Sequence, residues 1–516
     1  MKRRNFIKNM SLASVAAPVV VNNIQFKGIA KKLFTYSKMA ESRVLVIIRL
    51  NGGNDGLNSV IPIDQYDNLM IQRPNIIIPE AQILPVTDTI GFHPVMTGMK
   101  NMFDSGKLGI IQDVGYPEQN RSHFRSMDIW TSGSLEIEET RGWLGRNFDM
   151  HYENFPSAYP NTDYPHPFAI SMGYETSTTC QGLMGNFSHA VANPTQPMNV
   201  NGNSAVNDGT YFGDHMQYIT TIINQTNAYG TAINNAANGG SSLSTLYDAN
   251  NPIAVQLRNV AKMISGGLQS KVYILNINGF DTHDNQVTSE SSTTTGMHAN
   301  LMKTLSDAIY AFQDDLQLLG LENRVAGMTF SEFGRQVASN YSLGTDHGDA
   351  APMFLFGTCV SGSVIGNNPT IGDQIVNQAG IPIQYDFRDI YASILKDWFL
   401  VDPEEIQTLF EHDVNFVEVL AGCGLSVEEK EFQKDGILIY PNPCVSNATV
   451  RFVAQNERVH IEIYDLNGRS VAVVTDQLFD QGTHNVTCDL HDLKAGRYQV
   501  RVVKQSGILT KALVKI

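Results

Sequence analysis

The chain has 516 residues, a length that calls for two or more domains. Hydrophobic residues make up 42% and charged residues 17%, which suits packed globular domains and excludes a wholly disordered chain. The net charge of −15 argues against nucleic acid or an anionic membrane as a general partner, yet leaves room for anionic substrates, because a bound cation inverts a local field.

The N-terminus reads Lys2-Arg3-Arg4-Asn5-Phe6-Ile7-Lys8, followed by a modestly apolar run from Met10 to Val21. Basic residues ahead of a short apolar stretch have the form of an export signal, too short for a stable membrane span. The paired arginines with Phe6-Ile7-Lys8 resemble a twin-arginine signal, with an ordinary secretory signal as the alternative. Residues 1–40 are therefore read as a twin-arginine type signal and spacer.

From Arg43 a continuous β-branched run reaches Leu50 and ends in Asn51-Gly52-Gly53-Asn54-Asp55-Gly56. It reads as a buried parallel strand feeding a glycine-rich loop. A helical stretch from Pro94 to Phe103 leads to a second buried strand at Leu108–Val114, and the spacing suggests a βαβ unit. The segment 193–252 is rich in Asn, Gly, Ser and Thr and reads as a looped insertion with one helical piece near Met216–Ile223. Regular structure then resumes. A helix is marked by Ile253, Leu257, Val260 and Ile264, a strand by Val272–Ile277 and a long helix by Leu301 to Leu319. Strands follow at Val325–Phe330 and Met353–Phe356, with a helix at Asp389–Phe399. Alternation of this kind predicts an α/β domain over 41–427, with a largely parallel central sheet flanked by helices. Charged residues at 428–435 read as a linker. Short alternating strands from Gly436 onward predict a small all-β, immunoglobulin-like sandwich over 436–516.

The five cysteines, Cys180, Cys359, Cys423, Cys444 and Cys488, form no CxxC or Cys/His pair. They indicate neither a zinc knot nor a disulfide framework, and only Cys444 and Cys488 are candidates to pair within the tail.

Ligands of open α/β sheets bind outside the carboxyl ends of the strands. Polar residues gather after the expected strands: Asp55 after the first, Asp281 and His283 after Val272–Ile277, and Glu332 after Val325–Phe330. His347 stands just before the Met353 strand. Each alone reads equally as a cap, a turn residue or a structural donor. Together, carboxylates and imidazoles at one edge repel unless a cation neutralises them, and mixed O/N donors suit zinc, manganese or iron better than calcium. Ser122, at the expected start of a helix, is either a nucleophile or an N-cap. Arg121 and Arg125 are either clamps for phosphate or sulfate oxygens or surface residues.

Seven segments carry a family resemblance: 50–58, 115–130, 142–146, 279–283, 331–335, 345–348 and 386–391. Among them are Leu-Asn-Gly-Gly-Asn-Asp-Gly-Leu-Asn, Gly-Phe-Asp-Thr-His, Ser-Glu-Phe-Gly-Arg and Thr-Asp-His-Gly. They resemble the family called domain of unknown function 1501, over roughly residues 43–400. That family is similar to the alkaline phosphatase and sulfatase superfamily, whose members hold two metals at one end of a parallel sheet. The resemblance implies an alkaline-phosphatase-like fold. It places Asp55 at the first-strand aspartate position, Ser122 near the nucleophile, and His347 at the last metal histidine. Asp281 and His283 are similar to an Asp-x-x-x-His ligand pair at the altered spacing Asp-x-His. Glu332 stands where the superfamily carries Asp-His, but Phe333 follows it here. No Cys-x-Pro-x-Arg occurs, which excludes a formylglycine sulfatase as a close analogue. The implied site holds one metal, two in altered form, or none.

The tail resembles the C-terminal sorting domain of type IX secretion in Bacteroidota. Tyr440-Pro-Asn-Pro443, Ile463–Arg469, Leu493–Tyr498 and Lys511–Lys515 carry that likeness. The implied partners are the type IX machinery through 436–516, the twin-arginine translocase through the N-terminus and an anionic ester substrate. Two functions follow. One is a secreted or cell-surface, metal-dependent hydrolase of phosphate or sulfate esters. The other is a non-catalytic surface or matrix protein that keeps the fold for binding.

Overall fold

The β-branched run Val44–Asn51 forms strand β1 in the middle of a nine-stranded sheet. The structure is a computed structural model that describes residues 42–196, 200–201, 208–410, 412–420 and most of 436–515. Apart from the short antiparallel pair Val20–Val21 and Ile24–Gln25, the expected signal and spacer lie outside the described residues, as does the linker at 428–435. The chain separates into two compact units, a larger one of residues 39–423 and a smaller one of residues 1–38 and 424–516.

In the larger unit, β2 is Leu108–Gly115, β3 Ala169–Met172, β4 Ser188–Val191 and β5 Val272–Asn278. Strand β6 is Val325–Phe330 and β7 Ala351–Phe356, with the short β8 (Val364–Ile365) and β9 (Tyr385–Asp386) at one side. The order is β8-β2-β7-β6-β1-β5-β3-β4, with β9 also paired to β2. Strand β1 pairs in parallel with β5, from Val272↔Leu45 to Asn278↔Asn51, and with β6, from Val325↔Val44 to Phe330↔Arg49. Strand β7 runs antiparallel to both β6 and β2. The sheet is thus mostly parallel, as the sequence predicts. The βαβ expectation needs correcting: β1 and β2 are not neighbours, because β6 and β7 lie between them.

The reversed β7 matters for the site. Its start lies at the edge where β1, β2, β5 and β6 end, so the residues just before Ala351 meet those that follow the other strands.

Helices cover both faces: α1 (Thr97–Asp104), α2 (His123–Ser132), α3 (Trp143–His151), α4 (Tyr211–Gly239), α5 (Pro252–Ser265), α6 (Met297–Leu318), α7 (Phe387–Asp397) and α8 (Pro403–Leu409). Val44, Val46, Ile48 and Leu50 of β1 pack in one core with Met99, Leu257, Val260, Leu305 and Ile309 of α1, α5 and α6. Leu45 and Ile47 pack in a second core with Trp130, Leu144, Phe148, Ile390 and Ile394 of α2, α3 and α7. Burial on both faces is why β1 opens with the unbroken apolar run Val44–Ile48 rather than alternating. Asn251 starts α5 by accepting from the N–H groups of Ile253 (3.0 Å) and Ala254 (3.1 Å), ahead of Pro252. The expected looped insertion is instead dominated by α4, a single helix of 29 residues capped by Thr210. The expected helical piece Met216–Ile223 lies in its first half; the second half was hidden because its core residues Tyr229, Ile233, Ala236 and Ala237 are interspersed with Asn, Thr and Gly.

In the smaller unit, β10 (Ile437–Tyr440), β11 (Asn447–Ala454) and β14 (Gly482–Asp489) form one antiparallel sheet in the order β10-β11-β14. Strands β12 (Glu457–Tyr464), β13 (Ser470–Phe479), β15 (Gly496–Lys504) and β16 (Gly507–Lys515) form another in the order β13-β12-β15-β16. Val450 and Phe452 of the first meet Ile461, Val500 and Leu513 of the second in one core, so the two sheets make the predicted small sandwich. Cys444 and Cys488 are buried free thiols there, so the tail pairing is not formed. Cys359 in the larger unit is disulfide-bonded, which the spacing of the cysteines did not indicate.

Candidate metal centre

The loop after β1 turns on Gly52 (φ +124°) and Gly53 (φ +88°), a conformation that L side chains rarely adopt. A Cβ on Gly52 would lie 2.2 Å from the backbone nitrogen of Asp281, so glycine lets the loops after β1 and β5 touch. Five loops converge at this edge and bring Asp281, His283, Glu332 and His347 together as the sequence predicts. They add His123, the first residue of α2, which sequence reasoning passed over in favour of its neighbour Ser122.

Asp281 lies at the centre. Its Oδ1 is 3.1 Å from His347 Nε2 and 3.2 Å from His283 Nε2, and its Oδ2 is 3.4 Å from His123 Nε2. His283 Nε2 and His347 Nε2 are 2.9 Å apart. The opposite nitrogen of each ring faces an acceptor. His123 Nδ1 is 2.8 Å from Glu332 Oε1, His283 Nδ1 is 2.9 Å from Asp346 Oδ1, and His347 Nδ1 is 2.8 Å from the Arg121 carbonyl. Acceptors at Nδ1 place the proton there and leave Nε2 a bare lone pair, the arrangement that metal-binding histidines adopt. Three ring nitrogens thus face the Asp281 carboxylate, and donor atoms of His123, Asp281 and His347 all lie within 4.8 Å of one another, with His283 against the Asp281–His347 side of that group. A proton shared by two imidazoles relieves one of these contacts; a divalent ion relieves them all. Donors bound at about 2.0–2.1 Å in a tetrahedron lie about 3.3 Å apart, close to the separations seen here. The set His123, Asp281 and His347 therefore fits a divalent ion, with His283 beside it.

The electrostatics agree. Burial lowers the His347 pKa, which keeps its imidazole neutral. Burial opposes ionisation of Asp281, but the hydrogen bond and positive charge of Arg335, together with the histidines beside it, hold the carboxyl below its ordinary value. Asp281 remains a half-exposed carboxylate.

Arg335 frames the site. Fully buried, it donates to the carbonyls of Gly53 (2.9 Å), Thr345 (2.8 Å) and Phe280 (2.9 Å), to that of Gly52, and to Asp281 Oδ1 (2.7 Å). One guanidinium thereby joins three loops. Glu332 also accepts the Gly52 N–H at 2.8 Å, so it holds both the first loop and His123.

The other expected residues are engaged elsewhere. Asp55 is buried against Arg73, whose Nη1 lies 2.9 and 2.8 Å from its two oxygens, and Gln286 donates to it at 2.6 Å. Burial opposes its ionisation, yet the Arg73 charge wins and its pKa falls. The structure thus places Asp55 in a buried ion pair, outside the cluster. Arg121 makes a two-point contact with Asp349 (2.8 and 2.7 Å) and donates to Gln378, so its guanidinium is no free clamp. Arg125 donates to the Leu135 carbonyl. Ser122 stands at the N-terminus of α2 with its side chain exposed, and its hydroxyl does not cap the helix. The signal for His123 was available: it follows the β2 loop at the same edge as the other ligands. Arg335 left less trace, because most of its partners are backbone carbonyls of remote segments.

Residues 259–418 match the model of a family described as protein of unknown function (DUF1501), and residues 438–516 match that of a secretion system C-terminal sorting domain. The sorting domain implies export to the cell surface or beyond, through contact with the secretion machinery. Among the described residues no helix is long and apolar enough to cross a membrane. No curated protein matches the chain. Among solved structures, the PsFucS1 sulfatase from Pseudoalteromonas sp. is similar at 10% identity and a TM-score of 0.34, covering 90% of this chain and 87% of that one. A protein in the alkaline phosphatase superfamily from Vibrio parahaemolyticus is similar at 8% identity and a TM-score of 0.33, covering 83% and 81%. The phosphonate monoester hydrolase SpPMH from Silicibacter pomeroyi is similar at 9% identity and a TM-score of 0.29, covering 92% and 88%.

Proposed function

We propose that the larger unit is an exported, metal-dependent hydrolase of phosphate or sulfate esters. The observation that carries this reading is the convergence of the Nε2 atoms of His123, His283 and His347 on the carboxylate of Asp281, with each Nδ1 turned onto an acceptor. His123, Asp281 and His347 are the ligands, with His283 beside them, and Glu332, Asp346 and the Arg121 carbonyl orient the rings. A divalent ion bound there supplies Lewis-acid polarisation of an ester oxygen and a water acidic enough to ionise near neutral pH. Ser122, exposed at the first turn of α2 and next to His123, is the side-chain nucleophile of this reading, and the positive end of the helix favours an anion beside it. The substrate class comes from the motif resemblance to the alkaline phosphatase and sulfatase superfamily. In this proposal the paired arginines near the N-terminus address the chain to the twin-arginine translocase, and the ion is zinc, manganese or iron.

Elemental analysis of the purified protein tests the centre, and turnover of aryl phosphates and sulfates tests the chemistry. At least one tightly held ion per chain is expected, lost in His347→Ala. Turnover is expected to fall more than about a hundredfold in Ser122→Ala. A protein that purifies without metal and takes up none sinks the proposal, and unchanged turnover in Ser122→Ala removes that residue from its role. One observation favours the binding-protein reading: Arg121 and Arg125, the expected anion clamps, are both held by other groups. That reading predicts bound metal without turnover of any ester tried.

A further inference from the structure

Arg49 sits on β1 two residues before the end of the strand, directly opposite Asn276 of β5 and Phe330 of β6. The next pair along the same sheet face is Asn51 opposite Asn278. Arg49 Nε donates to Asn51 Oδ1 at 2.5 Å, and Asn51 Nδ2 donates to Asn278 Oδ1 at 2.6 Å. The guanidinium is therefore turned along the strand toward the edge that holds the metal cluster. Its two terminal nitrogens make no hydrogen bond and no ion pair among the described residues.

This is unusual for a largely buried arginine, since a desolvated cation is normally matched by a carboxylate. Its neighbours supply none within contact. Glu332 and the exposed Glu175 act on it only at longer range, and burial lowers its pKa. Other polar atoms around it also lack partners. Tyr391 of α7 is fully buried on this side of the sheet, and its hydroxyl makes no hydrogen bond among the described residues; nor does Asn276 Oδ1. Arg49 is a donor only, and the Tyr391 hydroxyl and the exposed Asn278 amide can donate as well, while the unpartnered Asn276 oxygen is an acceptor. Asn278, the outermost of the set, is exposed, which opens the group to solvent. Asn51 precedes Gly52, whose N–H binds Glu332, and its carbonyl accepts from Phe280, the residue before Asp281. The donors thus adjoin the cluster through the backbone of the same two loops.

We propose that Arg49, with Asn51, Asn278 and Tyr391, forms an oxyanion subsite beside the metal cluster that binds a tetrahedral sulfate or phosphate group of the substrate. As part of the hydrolase reading it rests on that reading, and it supplies the anion-binding cation that Arg121 and Arg125 do not. The subsite is built from the strands themselves, so it binds whether or not an ion is present.

The test is calorimetric titration of the full chain with inorganic sulfate and inorganic phosphate, before and after treatment with a chelator. The expected result is one anion bound per chain in both states, weakened at least tenfold in Arg49→Gln, with benzoate as a carboxylate control that binds less well. Asn278→Asp, an exposed change that sets a carboxylate on Asn51, the residue that holds the guanidinium, is expected to abolish binding, and keeps the test decisive if Arg49→Gln does not fold. Equal anion affinity in Asn278→Asp and the parent overturns the subsite. So does binding that disappears on chelation and is indifferent to Arg49, which would assign the anion to the metal alone and leave the hydrolase proposal standing. Arg49-dependent binding in a protein that takes up no metal has the opposite meaning: the subsite stands and the hydrolase proposal falls.

Discussion

Three acceptors of different kinds perform one task at the candidate centre. A buried carboxylate (Glu332), a half-exposed one (Asp346) and a backbone carbonyl (Arg121) each fix the tautomer of one histidine. Orienting groups of this type typically govern metal affinity by 10–100-fold. Glu332→Gln and Asp346→Asn are therefore each expected to weaken metal binding about 10–100-fold, read by competition with a chelator, while circular dichroism stays unchanged. The Asp55–Arg73 pair makes the opposite prediction. Asp55→Ala strands a buried guanidinium and should destabilise the fold by about 3–5 kcal/mol in denaturant unfolding, with no change in metal stoichiometry. At this scale the sequence pointed to Asp281, His283, Glu332 and His347, because residues at strand ends collect at one edge. It could not reveal that Asp55 would meet Arg73, since an ion pair between a loop and a helix end leaves no pattern in spacing. His123 was hidden behind Ser122, whose position at a helix start drew the attention that belonged one residue later.

Strand β2 carries its own charge anomaly. Asp113 is buried, adopts φ 52°, and accepts from Gln384; burial pushes its pKa up from 3.8 to about 7. The folded chain then binds a proton between these two values that the unfolded chain releases. Its contribution to stability is full below about pH 4 and is lost as pH rises toward 7 and above. Asp113→Asn is expected to raise the melting temperature at pH 8, with a gain on the order of 1–4 kcal/mol at about 1.4 kcal/mol per pKa unit, and the gain should shrink to nothing near pH 4. A gain that grows on acidification would contradict this assignment. The cap of α5 gives a simpler test: Asn251→Ala frees two N–H groups and should cost about 1 kcal/mol. Elements with two buried faces or one clear apolar stripe, such as β1, β5 and α5, could be read from the sequence nearly to their ends. The helix α4 could not, because its core residues Tyr229, Ile233, Ala236 and Ala237 are interspersed with Asn and Thr in its second half.

Across the whole molecule, the α/β architecture and the tail sandwich were both legible, because apolar runs and alternating runs bury different numbers of faces. The direction of β7 was not, since an apolar strand reads the same whichever way it runs. The match of residues 438–516 to a sorting domain predicts that deleting them will leave the larger unit inside the cell envelope, as seen by fractionation. The metal content of the retained protein should equal that of the exported one, because every proposed ligand lies before Gly424.

The loops at the sheet edge are tied together by the guanidinium of Arg335, and that bond network needs no ion. A site braced in this way is preorganised. Little chain entropy remains to be lost when a cation arrives, and little is regained when it leaves. Amide hydrogen exchange at Gly52, Asp281 and Thr345 should then be the same in stripped and loaded protein. One ion should replace another as fast as its bonds to the histidines break, without waiting for the protein to open.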